Sequence, residues 1–206
     1  MLTVVLVIIA IVAFILVPGN PRPPLPTPVQ INTVLQPTLG DPNATVQIVV
    51  FDDLKCMNCM RYDQTIYPKI EKNYINTHKI KYTVINLAFL PNSMPAANAA
   101  YCIYMQNQQA FFDFMHYIYA HQPPESENWA CIPNLMDFAL HIKNVDQNKF
   151  AQCVVKSPYT DVISNNLKIA QKAMGEMIAT PSVYVNGVKV EPLTWDQLKY
   201  VMSKVS

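Results

Sequence analysis

The stretch Phe51–Asp63, FDDLKCMNCMRYD, sets two cysteines with two residues between them directly after an apolar run. Upstream, Thr45 to Phe51 (TVQIVVF) is rich in β-branched side chains and nearly continuous in apolar ones, the pattern of a strand buried on both faces. Downstream, Cys59, Asp63, Ile66, Ile70 and Tyr74 recur at helical spacing, and Pro68 predicts a kink. The pair therefore falls at a strand-to-helix junction. Lys79 to Leu87 (KIKYTVINL) alternates as a second strand and completes a β-α-β unit, expected to be right-handed with parallel strands.

Three chemistries use paired cysteines at this spacing. A structural zinc site needs four ligands, usually a second Cys or His pair, and His78, His116, His121 and His141 are scattered without such a pattern. No metal is expected, and each histidine reads as a surface or satisfied polar residue. A purely structural Cys56–Cys59 disulfide would close a loop too short to remove much chain entropy. The redox reading uses the junction itself. A cysteine at the start of a helix faces unpaired backbone N–H groups and the positive end of the helix dipole, which stabilise a thiolate. Cys56 is thus the expected nucleophile. Cys59, one turn further in and on the core-facing stripe, is the expected resolving thiol.

Further outward the pattern turns helical, from Pro95 to Met177. Ala97, Tyr101, Tyr104, Phe111, Met115 and Ile118 form one core stripe, and Ile132, Leu135, Met136, Ala139 and Ile142 another. Ser157-Pro158 reads as an N-cap with proline at the first helical position. Asn186-Gly187 between Ser182–Val185 and Val188–Val190 predicts a hairpin, and Thr194 with Gln197 predicts a capping box for the last helix.

Leu2 to Val17 is apolar at every position but Thr3, which predicts a membrane-directed segment over 1–17. Sixteen residues at ~1.5 Å each span ~24 Å, short of ~30 Å of hydrocarbon yet longer than most signal-peptide cores. An uncleaved anchor and a cleaved signal peptide both fit; a buried core helix is the third reading. Pro18 to Pro28 has six prolines in eleven residues and predicts an extended polyproline linker over 18–30, either a spacer or a tail left by cleavage. The rest of the 206 residues amounts to about one domain. A net charge of +1 with 14% charged residues and no basic cluster gives no phosphate-tracking surface, so nucleic acid is not an expected partner.

The run IVVFDDLKCMNCMRYDQTIYP, the helical block and ATPSVYVNG (Ala179–Gly187) resemble the DsbA-like branch of the thioredoxin superfamily, extracytoplasmic thiol:disulfide oxidoreductases, over about Gly40 to Ser206. The resemblance implies an α/β thioredoxin fold with a central mixed sheet flanked by helices. Residues 31–90 and 178–206 would form it, with 91–177 as an inserted helical domain. It also implies a cis peptide bond before Pro181, which would lie against Cys56 and Cys59 and complete the catalytic set. Thr180, Met57 and Asn58 would contact substrate: the Thr180 backbone as an added-strand partner, Met57 as an adaptable apolar contact.

The chain departs from that branch in two places. Met57-Asn58 stands where many relatives have Pro-His or Pro-Tyr, so a histidine that stabilises the thiolate is missing. Val50 stands six positions before Cys56, where many relatives carry an acid. Asp52 and Asp53 are closer and could serve as the proton acceptor for Cys59, but read first as solvated loop charges near a helix N-terminus; Lys55 could lower the pKa of Cys56 or be simply solvated, and reads as the second.

The function implied is exchange of a Cys56/Cys59 disulfide or dithiol with cysteines of secreted or envelope proteins, as oxidase or reductase. Expected partners are unfolded or partly folded cysteine-containing proteins and a membrane redox partner, a quinone-linked oxidase or a thiol relay. No cofactor is expected. The location implied is extracytoplasmic, in a bacterial periplasm, membrane-anchored or secreted. Only a short linker precedes Ile31, so a monomer is expected. The competing class is a catalytically silent thioredoxin-like module that holds peptides in the groove beside Pro181. Of the remaining cysteines, Cys102, Cys131 and Cys153 allow three single pairings, and the alternative is that all three are small buried hydrophobes; the resemblance implies a Cys102–Cys153 bridge.

Overall fold

The computed structural model of the chain describes residues 23–205, so the apolar segment 1–17 and the start of the proline-rich stretch lie outside the described residues. Five strands form one mixed sheet in the order β1-β3-β2-β4-β5. They are β1 Thr38–Gly40, β2 Val46–Asp53, β3 Ile80–Leu87, β4 Ser182–Val185 and β5 Val188–Lys189. β2 lies at the centre. It runs parallel to β3, from Val46 opposite Ile80 to Asp53 opposite Leu87, and antiparallel to β4, from Ile48 opposite Val185 to Phe51 opposite Ser182.

Alternation along β2 divides the core. Ile48 and Val50 face one layer, while Val49 and Phe51 face a second cluster with Ile85, Leu87, Tyr184 and Ala170. Both faces are covered, which is why the sequence here is apolar at consecutive positions. Ile48 and Phe51 are fully buried, and each such side chain contributes roughly 1.5–3 kcal/mol relative to exposure.

After β2 comes α1, Met57–Thr65, then a break at Ile66, α2 at Tyr67–Ile70 and a π-helical turn at Glu71–Ile75. Pro68 sits in the first turn of α2, where its missing N–H costs no internal hydrogen bond. Between β3 and β4 lie α3 Met94–Tyr104, α4 Gln108–His121, α5 Ile132–Leu140, α6 Gln147–Lys156 and α7 Thr160–Met174. α7 packs back on the sheet through Ala170, and α8, Trp195–Val205, closes the chain. The Cys102 and Cys153 sulfurs, on α3 and α6, are 2.03 Å apart in a disulfide with Cα atoms 5.9 Å apart. Cys131, a half-buried free thiol, stands at the head of α5.

Asn186 (φ 47) and Gly187 (φ 82) form the β4–β5 turn in the left-handed region, as a two-residue hairpin requires. The Thr194 hydroxyl accepts the Gln197 N–H at 3.2 Å at the head of α8. The end of the proline-rich stretch lies along the domain: Leu25 packs on the core, and the Val29 N–H donates to the Gly187 carbonyl at 2.9 Å.

Three local readings change. β2 continues through Asp52 and Asp53, which are 3% and 0% exposed rather than solvated loop charges. Lys55 is buried as well, its Nζ donating to the Pro91 carbonyl at 3.0 Å. Ser157 does not open a helix; it ends α6 with φ 46, its N–H donating to the Cys153 carbonyl, and α7 begins at Thr160.

Candidate functional site

The end of β2 delivers the chain into a tight turn. The Cys56 N–H donates to the Asp53 carbonyl at 2.9 Å, and Cys56 becomes the extended N-cap residue of α1, its own carbonyl accepting from Met60 at 3.1 Å. Asp53 holds this turn to the loop that follows β3. Its carboxylate accepts from the backbone N–H groups of Lys55, Phe89 and Leu90 and from the Ser93 hydroxyl, all within 3.1 Å. Those four donors compensate its burial, although burial still leaves its carboxyl above the ordinary carboxylate range.

The Cys56 sulfur lies 3.4 Å from the Thr180 carbonyl, and the Thr180–Pro181 peptide is cis. Thus the start of β4 meets the head of α1, bringing together residues 124 positions apart. The Cys56 thiol is brought down to about 6, chiefly by the hydrogen bond from the Cys59 thiol; Thr180 and the Cys59 and Asn58 backbone amides add to this, and burial opposes it. Cys56 is 6% exposed and Cys59 1%. Burial first, then the bond to Cys56 and the Asp52 charge, push the Cys59 thiol well up. One thiol is poised as a thiolate at neutral pH and its neighbour is held protonated.

Asp52 lies near enough for its charge to act on Cys59. Its carboxylate accepts from the Asn86 amide at 2.8 Å and the Tyr119 hydroxyl at 2.9 Å. Desolvation outweighs both bonds and lifts it to about 7. The sequence offers this residue as a proton acceptor but favours a solvated charge, because nothing in a strand-ending Asp-Asp pair says that the ladder persists through both.

Beside Cys56, a groove of about 330 Å³ is bounded by Asn58, Arg61, Tyr62, Thr180, Pro181 and Leu193. Asn58 is exposed and accepts from Arg61, and Met57 is half-buried and does not line the groove. His116 contacts Asp63 of α1 at 2.5 Å rather than either cysteine, and His121 bonds to the Tyr117 carbonyl.

The family model that matches the chain is described as Thioredoxin and covers residues 32–204. A probable disulfide bond formation protein D of Bacillus cereus is 30% identical over 171 residues, 82% of this chain and 78% of the relative. Its counterpart in Bacillus subtilis is 27% identical over 82% of this chain and 76% of its own length. Among solved structures, oxidised BdbD of Bacillus subtilis superposes with a TM-score of 0.80 at 26% identity, over 87% of this chain and 97% of that one. DsbA of Chlamydia trachomatis gives 0.79 at 26% identity, over 89% and 97%.

Proposed function

The chain belongs to the thioredoxin family, in its DsbA-like branch, and is a thiol:disulfide oxidoreductase; on that premise we propose that exchange runs through Cys56 as nucleophile and Cys59 as resolving thiol. The observation that carries this assignment is the placing of Cys56 at the head of α1, its thiol at about 6 and its sulfur against the carbonyl that precedes the cis bond.

Starting from the dithiol, the Cys56 thiolate attacks one sulfur of a substrate disulfide. A mixed disulfide forms and the other substrate sulfur leaves as a thiolate. Cys59 then gives its proton to the Asp52 carboxylate and attacks the Cys56 sulfur, closing the Cys56–Cys59 disulfide and releasing the second substrate thiolate. Two electrons pass to the substrate. The reverse sequence donates the disulfide, with Asp52 returning the proton to Cys59 as it leaves. An acid that titrates near 7 serves both directions at neutral pH. The substrate peptide lies in the groove beside Pro181, its backbone along Thr180 and its side chains over Met57 and Asn58.

The relatives' names speak of disulfide bond formation, which supports cysteine-containing proteins as substrates; an extracytoplasmic site of action, with a membrane partner restoring the redox state, follows from the DsbA-like resemblance. A bacterial periplasm, with the chain membrane-anchored or secreted, and a monomeric state are the finer parts of this reading. So is the structural role of the Cys102–Cys153 bridge, which ties α3 to α6 within the helical insert.

The test is catalysed oxidation of a reduced, unfolded ribonuclease in glutathione buffer. The wild-type chain should accelerate it, and Cys56→Ser should not. A peptide-holding module without chemistry would leave both rates at background.

A further inference from the structure

Two polar contacts reach the redox turn from the segment that follows α4. The Glu125 carboxylate accepts the Met57 N–H at 3.1 Å, and the Gln122 amide donates to the Lys55 carbonyl. The pair brackets Cys56, one contact on each side, from positions 67 and 68 residues away in sequence. Met57 is the first residue of α1, so its N–H is one of the donors that the helix cannot satisfy internally.

We propose that Glu125 is a tuning residue for the Cys56/Cys59 couple: its negative charge at the head of α1 raises the proton affinity of the Cys56 thiolate and so favours the disulfide over the dithiol. The inference rests on Cys56 being the nucleophile. A helix N-terminus stabilises an anion within its first turn. Here two anions share one such end, the thiolate through the Asn58 and Cys59 amides and the carboxylate through Met57. Each therefore weakens the hold on the other.

The other charged groups described around the turn have partners of their own, Asp63 of α1 with His116 among them. The Lys55 ammonium is on the Pro91 carbonyl, Arg61 is on Asn58, Asp53 takes its four donors, and Asp52 lies with Asn86 and Tyr119. Glu125 is half-buried, so solvent screens its charge only in part. Gln122 supplies the uncharged half of the same clamp and positions the turn without altering its field.

The experiment is the pH dependence of Cys56 alkylation in the reduced full chain, together with its equilibrium against glutathione, for wild type, Glu125→Gln, Glu125→Lys and Gln122→Ala. Removing the charge should lower the alkylation midpoint by about 0.5 pH unit, and reversing it should lower the midpoint further. The glutathione equilibrium should move toward the dithiol by about threefold for Glu125→Gln, in the same order across the series. Gln122→Ala should leave the midpoint in place. Glu125→Gln keeps size and an acceptor oxygen, so it stands alone if the lysine variant does not fold. Coincident midpoints for wild type and Glu125→Gln, or shifts that ignore charge, would overturn the proposal and leave Glu125 as a loop anchor. A wild-type chain whose Cys56 shows no acidic midpoint would instead overturn the assignment of the nucleophile.

Discussion

At the scale of single residues, the site separates two chemically identical thiols by environment. Reduced wild-type chain should be alkylated at Cys56 with a midpoint near pH 6, while Cys59 stays unmodified through neutral pH; peptide mapping after a brief pulse of reagent checks this. Asp52 allows a second prediction, with a definite sign. Its carboxyl is raised from 3.8 to about 7 in the fold, so the native state binds a proton that the unfolded chain has released. The stability this group contributes is full below pH 3.8 and lost as pH rises toward 7. Asp52→Asn should therefore stabilise the chain above neutrality, by about 4 kcal/mol at most for a shift of roughly three units, in denaturant melts at several pH values. The same variant should slow resolution of the mixed disulfide by about 10²-fold, the scale of a lost proton acceptor. Asp52 stood in the sequence only as the less favoured of two readings because its role depends on Asn86 and Tyr119, which only the fold brings alongside.

At the scale of elements, long-range ties hold the site's supports. The Cys102–Cys153 bridge closes a separation of 51 residues, for which the chain-entropy model gives about 4 kcal/mol. Replacing both cysteines with alanine should lower the melting temperature and leave the Cys56 alkylation midpoint unchanged, since the bridge lies within the insert. Gly187 has a different duty. A Cβ there would stand 2.2 Å from the Val29 carbonyl oxygen at φ +82, so Gly187→Ala should cost about 1–3 kcal/mol and release the chain around Val29 to proteolysis. The hairpin was legible because Asn-Gly has few other uses; so were β2, β3 and the kink at Pro68, each marked by periodicity or by a residue with one dominant local effect. β1 was not, for three residues, Thr38–Gly40, carry no period. Ser157-Pro158 misled because the same dipeptide can close one helix as readily as open the next, and the left-handed φ at Ser157 is set by tertiary context.

At the scale of the whole molecule, three pieces of chain, the first two consecutive and the third distant, meet in a redox centre: the end of β2, the head of α1 and the start of β4. The insert adds a fourth through Tyr119, Gln122 and Glu125. Local pattern announced the first two pieces, and resemblance supplied the third. The fourth had no signal, because Gln122 and Glu125 stand in a polar loop like any other. Covalent trapping separates the roles of the two cysteines. Cys59→Ser, incubated with disulfide-containing protein, should accumulate mixed disulfides on Cys56 that resist further exchange, whereas Cys56→Ser should accumulate none. Adducts on Cys59 in the Cys56→Ser chain, at a yield equal to that of the reciprocal variant, would overturn the assignment of Cys56 as nucleophile and Cys59 as resolving thiol.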